Sequence, residues 1–264
     1  MDTSLTAGQL AALIATPEAP LVIDVRRKAA WLDAPDWMRG ALRRDPEAVA
    51  QWAVELPASR PVVLYCVHGH QVSQGAAASL RAIGRQARFL AEGLEGWRAS
   101  GGALRRKPAG AGTRWITRER PKIDRIACPW LVARRVDPGA EFLYVPTGQV
   151  ASIAAERQAT PYDVTGAELG HHGSRCSFDA FVDEFGLAPD PAIARLADVV
   201  RAADTGRLAE IPEAAGLLAV SQGLSLKFAD DHEMLRHGMT LYDALHHWAA
   251  RDVDPASTWR ALAG

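Results

Sequence analysis

Long hydrophobic runs are absent from this chain: no apolar segment approaches the roughly 20 residues needed to cross a bilayer. Cysteine is scarce, at three in 264 residues. An odd number, widely spaced, builds no disulfide framework and suits a reducing compartment. Net charge is nearly absent too, at -1, so there is no overall field for holding nucleic acid or an anionic membrane nonspecifically. Met1–Leu5 lacks a basic segment leading into an apolar core, which predicts no signal peptide. Internal repeats are missing as well. These absences together predict a cytoplasmic protein with no membrane partner, for which nucleic acid is an unfavoured partner. Hydrophobic residues at 48% and charged residues at 23% describe an ordinary globular chain, long enough for two modest domains.

The chemistry concentrates at Val62-Val63-Leu64-Tyr65-Cys66-Val67-His68-Gly69-His70-Gln71-Val72-Ser73. The first four residues form a short, β-branched apolar run that reads as a buried strand. It stops at Cys66. A polar loop with Gly69 follows, and the small residues from Val72 to Leu80 read as a closely packed helix. A strand, a cysteine, a tight loop and a helix start aim backbone N–H groups and a helix N-terminus at one sulfur, which favours a thiolate. A buried core cysteine is the alternative; Gly69 with His68 and His70 favours the reactive reading.

This stretch resembles the active loop of rhodanese-like sulfurtransferases, Cys-x-x-Gly-x-Arg, with Cys66 at the persulfide-forming position and the loop spanning Val67, His68, Gly69, His70, Gln71 and Val72. The resemblance implies a small sulfur donor, a thiol or cyanide acceptor and no required cofactor. Gln71 stands where the family carries arginine, which removes one anchor for an anionic donor such as thiosulfate. Cysteine-based phosphatases of related fold place arginine six residues after the cysteine. Here that position is Val72, which argues against phosphate-ester hydrolysis.

Taken in order, Ser4 or Thr6 caps a helix over Ala7–Ala15, and Leu21–Arg26 is a strand leading into a turn. Asp24-Val25-Arg26 resembles a family feature near the active loop and is assigned a structural role. Trp37–Ala41 sits where the resembled family carries an ordering turn, Asp45-Pro46 opens a helix to about Leu56, and Ala87–Leu90 is another strand. Ala91–Trp97 resembles the family's closing signature. Short strands alternating with helices imply an α/β unit, a parallel sheet flanked by helices over residues 1–104. Ligands on such sheets bind at the C-terminal ends of strands, where Cys66 falls.

Residues 105–112 are basic, rich in Gly, Pro and Ala, and aperiodic, so they read as a linker with a solvated charge run. Residues 113–264 form a mainly helical α+β unit. Trp115–Thr117 and Glu141–Val145 are its strands. Cys128-Pro129 suggests a helix start, because proline suits the first helical position. Phe178, Phe181, Val182 and Phe185 mark one helix by spacing, and Ile193, Leu196, Val199 and Val200 mark the next. Leu217–Phe228 reads as a central core helix. Asp230 and Glu233 cap a short helix that ends at Gly238, and Leu241–Trp248 is the last.

This half resembles the C-terminal domain of the ChrB family, associated with chromate resistance, through Lys122–Leu131, Gly166–Gly173, Ala202–Thr205 and Asp230–Gly238. The resemblance allows an oxyanion- or metal-sensing regulatory role in chromate or redox stress, with the rhodanese-like unit accessory. A second site is therefore expected among Lys122, Arg125, Cys128, Glu168, His171 and Cys176. Cys128 at a helix start beside Lys122 and Arg125 is expected to be an acidic thiol. Three readings stand: a metal held by His171, Cys176 and Cys128, an oxyanion such as chromate held around Lys122, Arg125 and His171, or plain structural roles. The overall expectation is a two-domain sulfurtransferase.

Overall fold

Four consecutive buried residues, Val62 to Tyr65, form the middle strand of a five-stranded parallel sheet. The computed structural model describes residues 3–57 and 59–251. In chain order the first half runs β1 (Ser4–Leu5), α1 (Ala7–Ile14), β2 (Leu21–Asp24), α2 (Lys28–Asp33), β3 (Asp36–Met38), β4 (Leu42–Arg43), α3 (Val49–Trp52), β5 (Val62–Tyr65), α4 (Gln71–Ala82), β6 (Ala87–Leu90), α5 (Gly93–Ala99) and β7 (Leu104–Arg106). The sheet order β1-β6-β5-β2-β4 puts β5 between β6 and β2, and the register sets Asp24 beside Tyr65 at the strands' C-terminal ends. Burial on both faces explains the unbroken apolar runs. Thr6 caps α1 with a reciprocal Gln9 pair. The segment after Asp45 breaks into a 3-10 turn, the four residues of α3 and a second 3-10 turn, where one helix to Leu56 was expected.

The second half runs β8 (Arg114–Arg118), α6 (Asp124–Leu131), β9 (Glu141–Val145), α7 (Val150–Arg157), β10 (Thr160–Pro161), α8 (Ser177–Glu184), α9 (Pro191–Asp204), α10 (Pro212–Lys227) and α11 (Asp231–Ala249). A three-stranded parallel sheet, β10-β8-β9, packs beside the helices. The chain is thus a helix-flanked parallel sheet followed by a mainly helical α+β region, as the patterning implies.

Three features of this half differ from the sequence reading. The helix around Cys128 starts at Asp124, so Pro129 lies inside it. A proline there leaves the carbonyl four residues earlier without its helical partner. That carbonyl belongs to Arg125, and the hydroxyls of Tyr144 and Tyr162 donate to it at 3.3 and 3.4 Å. Gly238 does not end a helix; it lies within α11 where a Cβ would meet Ile126 Cγ2 at 2.4 Å. It lets α11 approach α6 closely. α10 buries only Ala214, Leu217, Ser221 and Ser225 and exposes Leu226, so it covers the core and does not form its centre.

The basic segment after Leu104 is not freely solvated. Arg105 and Arg106 belong to β7, which pairs antiparallel with β3. Lys107 is buried, donates to the carbonyls of Leu32, Pro108 and Ala111, and sits 5.0 Å from the Trp31 ring centroid. The two halves share one apolar core. Trp37 of β3 stacks on Phe185 at 6.2 Å, Arg39 and Arg105 both bridge to Glu184, and Arg60 donates to the Gly186 carbonyl.

Candidate functional site

Cys66 follows the last residue of β5 and is almost completely buried. Its Sγ lies 3.2 Å from Ser73 Oγ, in the first turn of α4. The sulfur therefore sits over the N-terminus of a 12-residue helix. His70, the N-cap of α4, forms no side-chain cap bond, so the first-turn amides remain free to face an anion there. Two glycines shape the loop. Gly69 has φ +72° and would drive a Cβ to 2.0 Å from the Ala91 carbonyl oxygen. Gly93, at φ +59°, would place one 2.5 Å from both Cys66 O and Gly69 N. Leu94 N and Glu95 N donate to Cys66 O and Val67 O at 2.9 and 3.1 Å, tying the loop to the start of α5.

Cys66 opens onto a cavity of about 580 Å³ lined also by Arg26, Arg27, His68, His70 and Gln71. Val67 and Val72 are half-buried at its wall, whereas His68, His70 and Gln71 are exposed. Arg26 is not free for an anion, because its guanidinium grips Asp24 with Nη2–Oδ2 at 2.6 Å. Burial disfavours its charge, but Asp24 more than offsets this and holds Arg26 above its usual range. Tyr65 donates to the same carboxylate at 2.7 Å. The Asp24–Arg26 pair is structural, as read from sequence.

The second set of candidate residues separates into two places. Glu168 is exposed and pairs with Arg39 and Arg105 at the junction between the halves. Lys122 is exposed and makes no side-chain hydrogen bond or ion pair among the described residues. Arg125 reaches inward instead, with Nε 3.1 Å from Asp163 Oδ2. His171 Nε2 lies 3.1 Å from Asp124 Oδ2, 3.4 Å from Asp163 Oδ1 and 3.1 Å from Asp204 Oδ2. Its hydrogen bond to Asp124 raises the imidazole to about 9, while burial and Asp124 push the Asp204 carboxyl up to about 7.

Cys128 and Cys176 are fully buried, and the expectation of an acidic Cys128 is overturned. Burial first, then the charge of Asp124, raises both thiols, Cys128 well above the usual range. Cys128 lies in the second turn of α6 and so gains little from its N-terminus. The metal-ligand trio also changes: the ligand atoms that converge belong to Asp124, His171 and Asp204, not to His171, Cys176 and Cys128. Asp124 and Asp204 lie inside stretches singled out above, but nothing local marked them as a pair. Asp163 carried one usable signal only in three dimensions, a positive φ of 49° in a residue that is not glycine.

The fold and the cysteine loop define a rhodanese-like unit, and the family model for the rhodanese-like domain matches residues 6–100. The family model described as ChrB, C-terminal domain, matches residues 115–249, and the chain belongs to that family. Protein ChrB of Cupriavidus metallidurans is 33% identical over 135 residues, 51% of this chain; the chain spans only 40% of that relative. Similar solved structures cover the first half. A full-length protein from Lactobacillus plantarum matches 39% of this chain and 88% of its own, at 24% identity and TM-score 0.36. A rhodanese-related protein from Thermoplasma volcanium matches 38% and 95%, at 20% identity and TM-score 0.34. No helix among the described residues is long and apolar enough to cross a membrane.

Proposed function

We propose that the chain is a cytoplasmic sulfurtransferase working through a Cys66 persulfide, with residues 1–104 and 113–264 as its two units and residues 105–112, the first two of which belong to β7, joining them. The observation that carries this reading is the placement of Cys66 Sγ over the first turn of α4, at the floor of an open cavity. The Cys66 thiolate attacks the outer sulfur of thiosulfate, the S–S bond breaks and sulfite leaves with the electron pair. An acceptor thiolate or cyanide then attacks the outer sulfur of the enzyme persulfide and releases the Cys66 thiolate. The α4 amides stabilise the sulfur anion in both steps. Mass spectrometry after treatment with thiosulfate tests this: one added sulfur on Cys66 is expected, and added sulfur only on Cys128 or Cys176 overturns it.

A second reading, a metal- or oxyanion-responsive regulator linked to chromate or redox stress, is favoured by one observation. The ChrB-type half gathers three carboxylates and an imidazole from separate segments into one partly open cluster. In this reading the Cys66 unit transfers sulfur as an accessory. Full-length protein with Cys66→Ser distinguishes the two: loss of sulfur transfer with retained ligand binding supports separate roles.

A further inference from the structure

We infer that the second half carries a divalent-cation site whose ligands are Asp124 at the start of α6, Asp204 at the end of α9 and His171 on the loop between β10 and α8. This supplies a ligand to the regulatory reading and is independent of Cys66 chemistry.

The first support is geometric. The three ligand atoms lie within 4.8 Å of one another, and His171 Nε2 is 3.1 Å from a carboxylate oxygen of each aspartate. Ligands at about 2.0–2.2 Å from a metal stand roughly 3–3.5 Å apart along the edges of its coordination polyhedron. A hydrogen-bonded imidazole explains only part of this arrangement. One Nε2–H donates to one oxygen, yet oxygens of Asp124, Asp163 and Asp204 all lie within 3.4 Å of it.

The second support is the distribution of compensating charge. Asp163 is fully provided for: Arg118 and Arg125 pair with its Oδ2, and Ser177 Oγ donates to its Oδ1 at 2.9 Å. Asp124 is almost wholly buried and Asp204 largely so, yet neither has an arginine or lysine partner among the described residues. Two sequestered carboxylates with a single imidazole between them and no arginine or lysine partner among the described residues form a donor set that a dication takes up, releasing the ligands' protons as it binds.

A third observation concerns the closed side of the cluster. Cys128 lies one helical turn beyond Asp124, on the same face of α6. It is fully buried and its thiol has no hydrogen-bond partner among the described residues. His171 is 43% exposed, so the opposite side offers an entry path from solvent.

Two carboxylates and an imidazole suit a borderline first-row ion such as Zn²⁺ or Mn²⁺ better than Ca²⁺, which takes oxygen ligands. Three protein ligands leave coordination positions for water or an oxyanion.

Full-length protein stripped with a chelator and titrated calorimetrically with Zn²⁺ and Mn²⁺ tests the site. One equivalent should bind. His171→Ala and Asp204→Asn should each weaken binding at least about 100-fold, while Cys128→Ser and Cys176→Ser should stay within about threefold. His171 lies on the open side, so its replacement keeps the test valid if the Asp204 variant fails to fold. No binding at one equivalent, unchanged affinity in the His171 variant, or loss confined to the cysteine variants overturns the assignment. Metal binding with unchanged sulfur transfer separates this site from the Cys66 reading.

Discussion

Tyr65, the residue before Cys66, donates its phenolic hydrogen to Asp24 Oδ2 at 2.7 Å. The same hydroxyl accepts from Met38 N at 3.2 Å. β5, β2 and β3 are thereby joined at the end of the sheet where Cys66 emerges. All the participating groups are buried, and burial together with Asp24 pushes the Tyr65 phenol well above its usual range, so it stays a donor.

Tyr65→Phe should therefore destabilise the chain by about 1–3 kcal/mol, because it leaves a buried carboxylate oxygen and a buried amide short of a partner. Urea denaturation of the two proteins measures this. A change near zero would mean that water or a shifted Arg26 replaces the hydroxyl without cost.

The cysteine loop depends on close backbone contact. At Gly93 an alanine would meet the Cys66 carbonyl and the Gly69 amide at 2.5 Å each, in a left-handed conformation. Gly93→Ala should cost more than about 1 kcal/mol and lower the yield of Cys66 persulfide. Gly84 offers a control: its φ is also positive, but nothing lies within 4 Å of an added Cβ. Persulfide yield should survive Gly84→Ala. Equal losses in the two variants would assign the effect to backbone strain alone.

Lys107 makes stability depend on pH in a definite direction. Burial first, then nearby Arg26, lowers its ammonium from 10.5 to about 8. Between pH 8 and 10.5 the unfolded chain thus holds a proton that the folded chain has released, and stability rises with pH across that window. Lys107→Met lacks this titration. The stability of the parent relative to that variant should grow in the parent's favour as pH rises from 8 to 10.5. A gap that narrows instead would show that the three carbonyls and the Trp31 ring hold the charged form.

What the sequence made legible was local. Cys66 stood out because a β-branched run, a glycine and a small-residue helix are neighbours in the chain, and the fold keeps them neighbours. The Asp24–Arg26 pair was legible for the same reason. The carboxylate–imidazole cluster was not, since Asp124, Asp163 and Asp204 come from three distant segments and no spacing rule joins them. Pro129 misled through a sound local rule, because two tyrosine hydroxyls from β9 and the residue after β10 satisfy the carbonyl it frees. Gly238 misled likewise: its missing side chain serves contact with Ile126, not a helix end. The basic segment looked solvated because its partners, Glu184 and the Leu32 carbonyl, lie far away in sequence.

The proposed transfer reaction makes a demand on the rim of the Cys66 cavity. Gln71, the first residue of α4, stands at the position where the rhodanese loop pattern carries arginine. Its amide lines the cavity but brings no charge to an anionic donor. Arg26 cannot substitute, because Asp24 holds it; the exposed cation on the rim is Arg27. Gln71→Arg should therefore raise kcat/KM for thiosulfate by about tenfold, the effect of about 1.4 kcal/mol in transition-state stabilisation. A neutral donor should gain little, since it offers the new guanidinium no charge. Steady-state kinetics with both donors separate the two expectations. Equal gains with both would locate the effect in the loop's conformation, and no gain with either would mean that Arg27 already supplies the anchoring charge.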